Sequence, residues 1–349
     1  MNEIKKYVEG KNIFVSGGTG SIGSGIVNHL LGYNVKTIRV FSNDENSHFK
    51  LQQRFKNHPK LRYLVGDVRD RTRLKKAVEG VDIIFHAAAL KHVPFCEYNP
   101  FEAVKTNVLG TQNMIDAALE LNVEKMVTIS TDKAASPTNV MGATKLLAER
   151  LTSSADYYRG YRNTTFCSVR FGNVLASRGS VIPIFMEQVK AGGPVTVTDM
   201  NMTRFVMSIS RAVELVLKAT VHSFGGEIFI FKMPALKIGD LASAIIDKYM
   251  GEHKDKEGDM KLKRIGPRDG EKLHEELMSL EEAESAYESD EMFILLPSKI
   301  VNKRYKVYEK SRKKYKSYRK SELRNYSSNQ VKLLSKKEIE TLLTSVEAE

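Results

Sequence analysis

The chain has 349 residues, of which 42% are hydrophobic and 28% charged, the balance of a globular protein large enough to bury a substantial core. No stretch approaches the roughly 20 apolar residues that cross a bilayer as a helix, and Met1–Gly10 has no signal-peptide core, so a cytoplasmic protein without a transmembrane segment is expected. The net charge of +12 is concentrated between Lys299 and Arg324, where twelve Lys/Arg face only Glu309 and Glu322; with Tyr305, Tyr308, Tyr315 and Tyr318 but no defined nucleic-acid motif, this reads as a solvated connection and no nucleic-acid partner is expected.

In chain order the sequence alternates strand and helix. Asn12–Ser16 is a short apolar strand, Ser21–Leu31 a helix and Thr37–Phe41 a β-branched strand. A helix around Ser47–Asn57, a strand at Leu61–Val65, a helix at Thr72–Val78 and a strand at Val81–His86 follow. Pro100–Leu121 has apolar positions at helical spacing and reads as one long helix. Lys125–Ile129 is a further strand, Ser130–Thr138 a turn-rich loop, and Asn139 a plausible cap for the next helix. Such alternation implies α/β architecture with a doubly wound parallel sheet. Cys96 and Cys167 are too few for a disulfide framework or a zinc site, and no metal is expected.

The turn after the first strand reads Ser16-Gly-Gly-Thr-Gly-Ser-Ile-Gly23. Glycines at 17, 18, 20 and 23 give a bare backbone where a pyrophosphate approaches a helix N-terminus, so Gly17, Thr19, Gly20, Ser21, Ile22 and Gly23 are candidates for dinucleotide binding. An acidic residue at the end of the second strand would disfavour a 2′-phosphate. Ser42 and Asn43 stand there instead, so NADP is expected ahead of NAD. Asp67 and Val68 follow the third strand, where a carboxylate can accept from the adenine amino group. After the fourth, Ala87, Ala88 and Ala89 let the backbone lie against a cofactor, with Lys91 close by.

Thr131, Asp132 and Lys133 follow the fifth strand, where parallel sheets present reacting groups, and Met141 and Lys145 share one face of the next helix. Together with the glycine turn, the Asp67-Val68 pair, the alanine run and Asn107, these residues resemble the extended short-chain dehydrogenase/reductases. Ser130-Thr-Asp-Lys-Ala-Ala and Met141-Gly-Ala-Thr-Lys145 are similar to the nucleotide-sugar 4,6-dehydratases of polysaccharide biosynthesis, and within them to the short, soluble UDP-N-acetylglucosamine type. One departure is Met141, where the superfamily has tyrosine; a thioether exchanges no proton.

The resemblance implies a Rossmann-type NADP domain over 1–172, a smaller α/β substrate-binding lobe over 173–298, and a basic extension with a terminal helix over 299–349. It implies dehydration of UDP-N-acetylglucosamine to its UDP-4-keto-6-deoxy-N-acetylhexosamine form, with C5 inversion left open, in a homo-oligomer. Asp132 and Lys133 would serve as acid and base, Lys145 would hold the nicotinamide ribose, Thr131 would hold the 4-oxygen, and Asn107 would join the cofactor site. Lys91, Asn173, Arg178, Val181, Pro183, Thr203, Arg204, Arg268 and Glu271 would hold the sugar nucleotide, the arginines by paired bonds to its diphosphate. The alternatives are a UDP-hexose 4-epimerase, which needs no elimination, and a non-catalytic dinucleotide sensor or scaffold.

Overall fold

A computed structural model describes residues 2–175, 177–252, 261–297, 315 and 318–347. Most of the basic run from Lys299, with Tyr305 and Tyr308, lies outside the described residues.

Six strands, β1 (Asn12–Ser16), β2 (Thr37–Ser42), β3 (Leu61–Val65), β4 (Ile83–His86), β5 (Lys125–Ile129) and β6 (Thr165–Arg170), pair in parallel in the order 3-2-1-4-5-6. Most are buried along nearly their whole length, as parallel strands covered on both faces require. The chain continues through β7 (Asn173–Val174), β8 (Val195–Val197), β9 (Thr203–Met207), β10 (Ile228–Phe231), β11 (Ala235–Lys237), β12 (Leu262–Arg264), β13 (Glu276–Met278), β14 (Ala286–Glu288), β15 (Met292–Leu295), β16 (Arg319–Lys320) and β17 (Tyr326–Ser327). β10 extends the sheet in parallel beside β6, and β15, β14 and β16 close it antiparallel. The fold is thus the expected Rossmann-type α/β arrangement, with a mixed far edge.

Caps place the helices. The Asp44 side chain accepts from Ser47 N and starts the helix at Glu45; Asp70 does the same for Arg71–Val78, and Asn139 for Val140–Tyr158. The expected single helix over Pro100–Leu121 is broken up: Pro100–Ala103 and Gly110–Glu120 are α-helical, and Val104–Leu109 between them is a π-helix. The wider turn presents Asn107 to the backbone of Leu90, from whose N–H it accepts at 2.7 Å and to whose carbonyl it donates at 2.9 Å.

A second apolar cluster, around Leu175, Phe185, Leu241 and Ile245, also takes Ile339 and Leu343 from the terminal helix Lys336–Glu347. Tyr326 bonds both backbone groups of Met233 and packs on Phe205 and Phe293. Tyr315, fully buried, donates to the His222 carbonyl at 3.0 Å. The chain's last segment is therefore threaded into the core. Among the described residues no helix is long and apolar enough to cross a membrane.

Candidate active site

The strand order turns back between β1 and β4, which opens a crevice at the carboxyl ends of the strands. A cleft of about 1360 Å³ lies there, lined from the loops that follow β1 to β6.

Its first half is built around the glycine turn. Gly17 sits at φ 62°, and a Cβ there would lie 2.7 Å from Ala88 N and 2.8 Å from the Ala87 carbonyl oxygen. Only glycine lets these two loops meet, and with the N-terminus of helix Ser21–Leu31 they form a cradle that suits a pyrophosphate. Thr19 donates to Ser42 at 3.0 Å and Asn43 to Asp67 at 3.3 Å. Arg69, absent from the sequence reading, grips Asp67 through Nε at 3.0 Å and Nη2 at 2.7 Å; its bond holds that carboxyl below the usual range. Gly20, Ser21, Ile22, Gly23, Val68 and Ala89 line the same half.

Arg178, expected on the substrate, stands on this side instead. Its guanidinium bonds Ser47 Oγ at 3.1 Å and the Thr19 carbonyl, and its own carbonyl accepts from Lys91 Nζ at 2.6 Å. His86 lies below the cleft, buried between Ser16 Oγ at 2.7 Å and Thr111 Oγ1 at 3.1 Å; burial pushes it down to about 3.

The second half carries a cluster of titratable groups. Thr131 Oγ1 donates to Asp132 Oδ1 at 2.7 Å, and Lys133 Nζ reaches the same oxygen at 3.0 Å. Asp132 is 1% exposed, and its Oδ2 has no hydrogen-bond partner among the described residues. Desolvation alone would lower Lys133, but Asp132 and Glu275, the latter 3.4 Å away, overcome it and hold the ammonium above the usual lysine range. Gly142 lets the following helix press on the Lys133 carbonyl, fixing this loop against Met141 and Lys145. Lys145 donates to the Ile129 carbonyl at 2.6 Å, and burial pushes it down to about 8 against the pull of Glu149. Met141 lines the cleft while packing on Cys96 and Ala103.

Asn173, Val181, Arg204, Arg268 and Glu271 line the far wall. Arg204 is buried, with Nη2 3.2 Å from Glu271 and Nε 3.7 Å from Glu275. Four of the expected site residues do not line the cleft. Asn107 braces Leu90, Asp132 lies behind Thr131 and Lys133, Pro183 is within helix Val181–Lys190, and Thr203 bonds His274 at 2.8 Å and Ser328 at 2.6 Å. Glu275, four positions beyond Glu271, lines the cleft but carries no local signal in the sequence that marks it as a site residue.

A doubly wound sheet with a glycine turn at its switch point and a helix-borne lysine facing it defines an extended short-chain dehydrogenase/reductase. The chain belongs to the family described as polysaccharide biosynthesis protein, which matches residues 13–297, and with it to the UDP-sugar 4,6-dehydratase and epimerase members of that superfamily. A Methanocaldococcus jannaschii protein named as an uncharacterized membrane protein is 51% identical over 347 residues, 99% of each chain. An inverting UDP-N-acetylglucosamine 4,6-dehydratase of Campylobacter jejuni is 43% identical over 84% of this chain and 85% of its own, and a UDP-glucose 4-epimerase of Rickettsia massiliae 40% over 97% and 96%. The crystal structure of Pen from Bacillus thuringiensis superposes with a TM-score of 0.88 at 43% identity, over 97% of this chain and 98% of that one.

The expectation of NADP is corrected. A Streptomyces venezuelae dTDP-glucose 4,6-dehydratase (TM-score 0.66, 22% identity, 75% of this chain and 86% of that one) and a Thermus thermophilus UDP-glucose 4-epimerase (0.61, 23%, 74% and 88%) both hold NAD. Room beside Ser42 and Asn43 was a weak guide, because open space attracts no phosphate without a cation committed to it. Arg69 and Arg178, the guanidiniums found on this side, are bonded to Asp67 and to Thr19 and Ser47.

Proposed function

We propose that the chain is an enzyme acting on a nucleotide sugar, of dehydratase or epimerase type, with NAD in the crevice. Bound there, NAD supplies a site that takes hydride from the sugar and returns it. Thr131 Oγ1, already donating to the Asp132 carboxylate, is the hydroxyl that takes the place of the missing tyrosine: it receives the C4 hydroxyl proton and passes its own to Asp132. Lys145 holds the ribose and lends positive charge. Arg204 and Arg268 take the diphosphate.

Between the two reactions, 4-epimerisation of a UDP-hexose or UDP-N-acetylhexosamine is the better supported. The observation that carries it is the setting of Lys133, whose ammonium form is favoured by Asp132 at 3.0 Å and Glu275 at 3.4 Å, whereas 4,6-elimination would need its neutral amine to remove the C5 proton. Relatives at 39–43% identity named UDP-glucose 4-epimerase, four of them over 97% of this chain, support it as well. Dehydration of UDP-N-acetylglucosamine is the second reading, favoured by the paired Asp132 and Lys133 and by the Campylobacter jejuni relative.

Proton NMR in deuterated water, with UDP-glucose and UDP-N-acetylglucosamine in turn, tests both. A galacto product without deuterium at C5 is expected. A 4-keto-6-deoxy product would replace the first reading with the second, and no conversion of either sugar would sink both.

A further inference from the structure

Glu275 is 3% exposed and directly precedes β13, yet it is held from far along the chain. Its N–H donates to Ser328 Oγ at 2.9 Å, and its carbonyl accepts from Ser328 N at 2.8 Å and from Ser327 Oγ at 3.2 Å. Ser328 itself is anchored on Thr203, beside Arg204. The Glu275 side chain then reaches the cleft, where Oε1 lies 3.4 Å from Lys133 Nζ and 3.7 Å from Arg204 Nε, while Oε2 is buried with no hydrogen-bond partner among the described residues.

A purely structural buried carboxylate is normally saturated, because an unmet oxygen out of water is costly. Glu149 shows the saturated form, with both oxygens bonded to Arg170 at 3.0 and 2.6 Å. Glu275 lacks that saturation while facing two cations of the cleft. We infer that Glu275, locked in place by Ser327 and Ser328, is a positioning residue that keeps the Lys133 head group cationic and aimed into the cleft.

The charged groups around Lys133 are few. Asp132 faces it from its own loop and Glu275 from the segment before β13; Arg204 on β9 opposes them and is itself countered by Glu271. Lys272 is turned away onto the Ala135 carbonyl. With Glu275 neutralised, one carboxylate would remain against one guanidinium, and Lys133 would lose much of what holds its proton.

The inference rests on the proposed reading of Lys133 as a fixed cation of the site, so its test reads charge without turnover. Competitive labelling of the full-length protein with acetic anhydride, resolved by peptide mass spectrometry, gives the neutral fraction of each lysine against pH. Glu275→Gln should increase Lys133 labelling about tenfold at a fixed mildly alkaline pH, the equivalent of roughly one pKa unit. Glu275→Asp, which keeps the charge, should stay near wild type, and Lys36 should not change in either. Labelling of Lys133 in folded Glu275→Gln within twofold of wild type would overturn the inference. If that variant does not fold, Ser328→Ala carries the test: a rise of about threefold is expected from the loosened carboxylate, and unchanged labelling overturns it. Because labelling is read without substrate, absence of turnover on either UDP-sugar would overturn the proposed function and leave the role of Glu275 standing.

Discussion

Replacing Gly17 by alanine tests the fold of the crevice and its occupant together. The added Cβ meets three backbone atoms, Ala88 N at 2.7 Å and the Ala87 carbonyl carbon and oxygen at 2.8 Å, none of which can rotate away. At φ 62° an alanine also pays the left-handed penalty of about 1 kcal/mol, and forcing the loops apart adds about 1–3 kcal/mol, for a total of roughly 2–4 kcal/mol. The movement falls where the β1 turn and the alanine run face a pyrophosphate, so NADH affinity should drop at least tenfold. Denaturant unfolding gives the first number and a fluorescence titration with NADH the second. Wild-type NADH affinity in a destabilised Gly17→Ala protein would refute the assignment of the dinucleotide to this turn.

Other perturbations follow from buried charge. Glu227 is fully buried, accepting from Phe224 N and Gly225 N, and burial raises it to about 7. Its folded value lies above its unfolded one, so the stability it contributes is full below about pH 4.5 and lost as pH rises through about 7. Glu227→Gln should therefore gain up to about 3 kcal/mol over wild type above pH 8 and nothing near pH 4; melting curves with parallel pH dependence would disprove it. Arg170→Met strands Glu149 and should cost about 3–5 kcal/mol, partly recovered by adding Glu149→Gln; additive losses in a double-mutant cycle would argue against a coupled pair. Ending the chain at Pro297 removes Tyr326, Ile339 and Leu343 from the core and Ser328 from Glu275. It should cost about 5 kcal/mol or more and abolish turnover, and an active, stable truncated protein would contradict the threaded architecture.

Much of the first half of the chain was legible from local chemistry. Apolar runs bounded by turns gave β1 to β5 to within a residue or two, and Asn139 marked the start of its helix, because strand burial and caps depend on neighbours a few positions away. The glycine turn announced its own backbone needs. The spacing of Met141 and Lys145 fixed their common face before any packing was known. The π-turn at Val104–Leu109 was invisible, since apolar periodicity runs on through an inserted residue.

What the sequence by itself determined was therefore the alternating sheet, the glycine cradle and the loop that carries Thr131, Asp132 and Lys133. Tertiary structure decided where the long side chains go. Arg178 had the chemistry for a diphosphate but was drawn to Thr19 and Ser47 by the approach of two loops. Lys133 was legible as a candidate base, but the approach of Glu275 to within 3.4 Å of it, itself pinned by Ser328, came only with the tertiary structure. An arginine or lysine reaches far enough to meet several partners, and which one it meets depends on contacts closed between residues far apart in the chain, which no local pattern encodes.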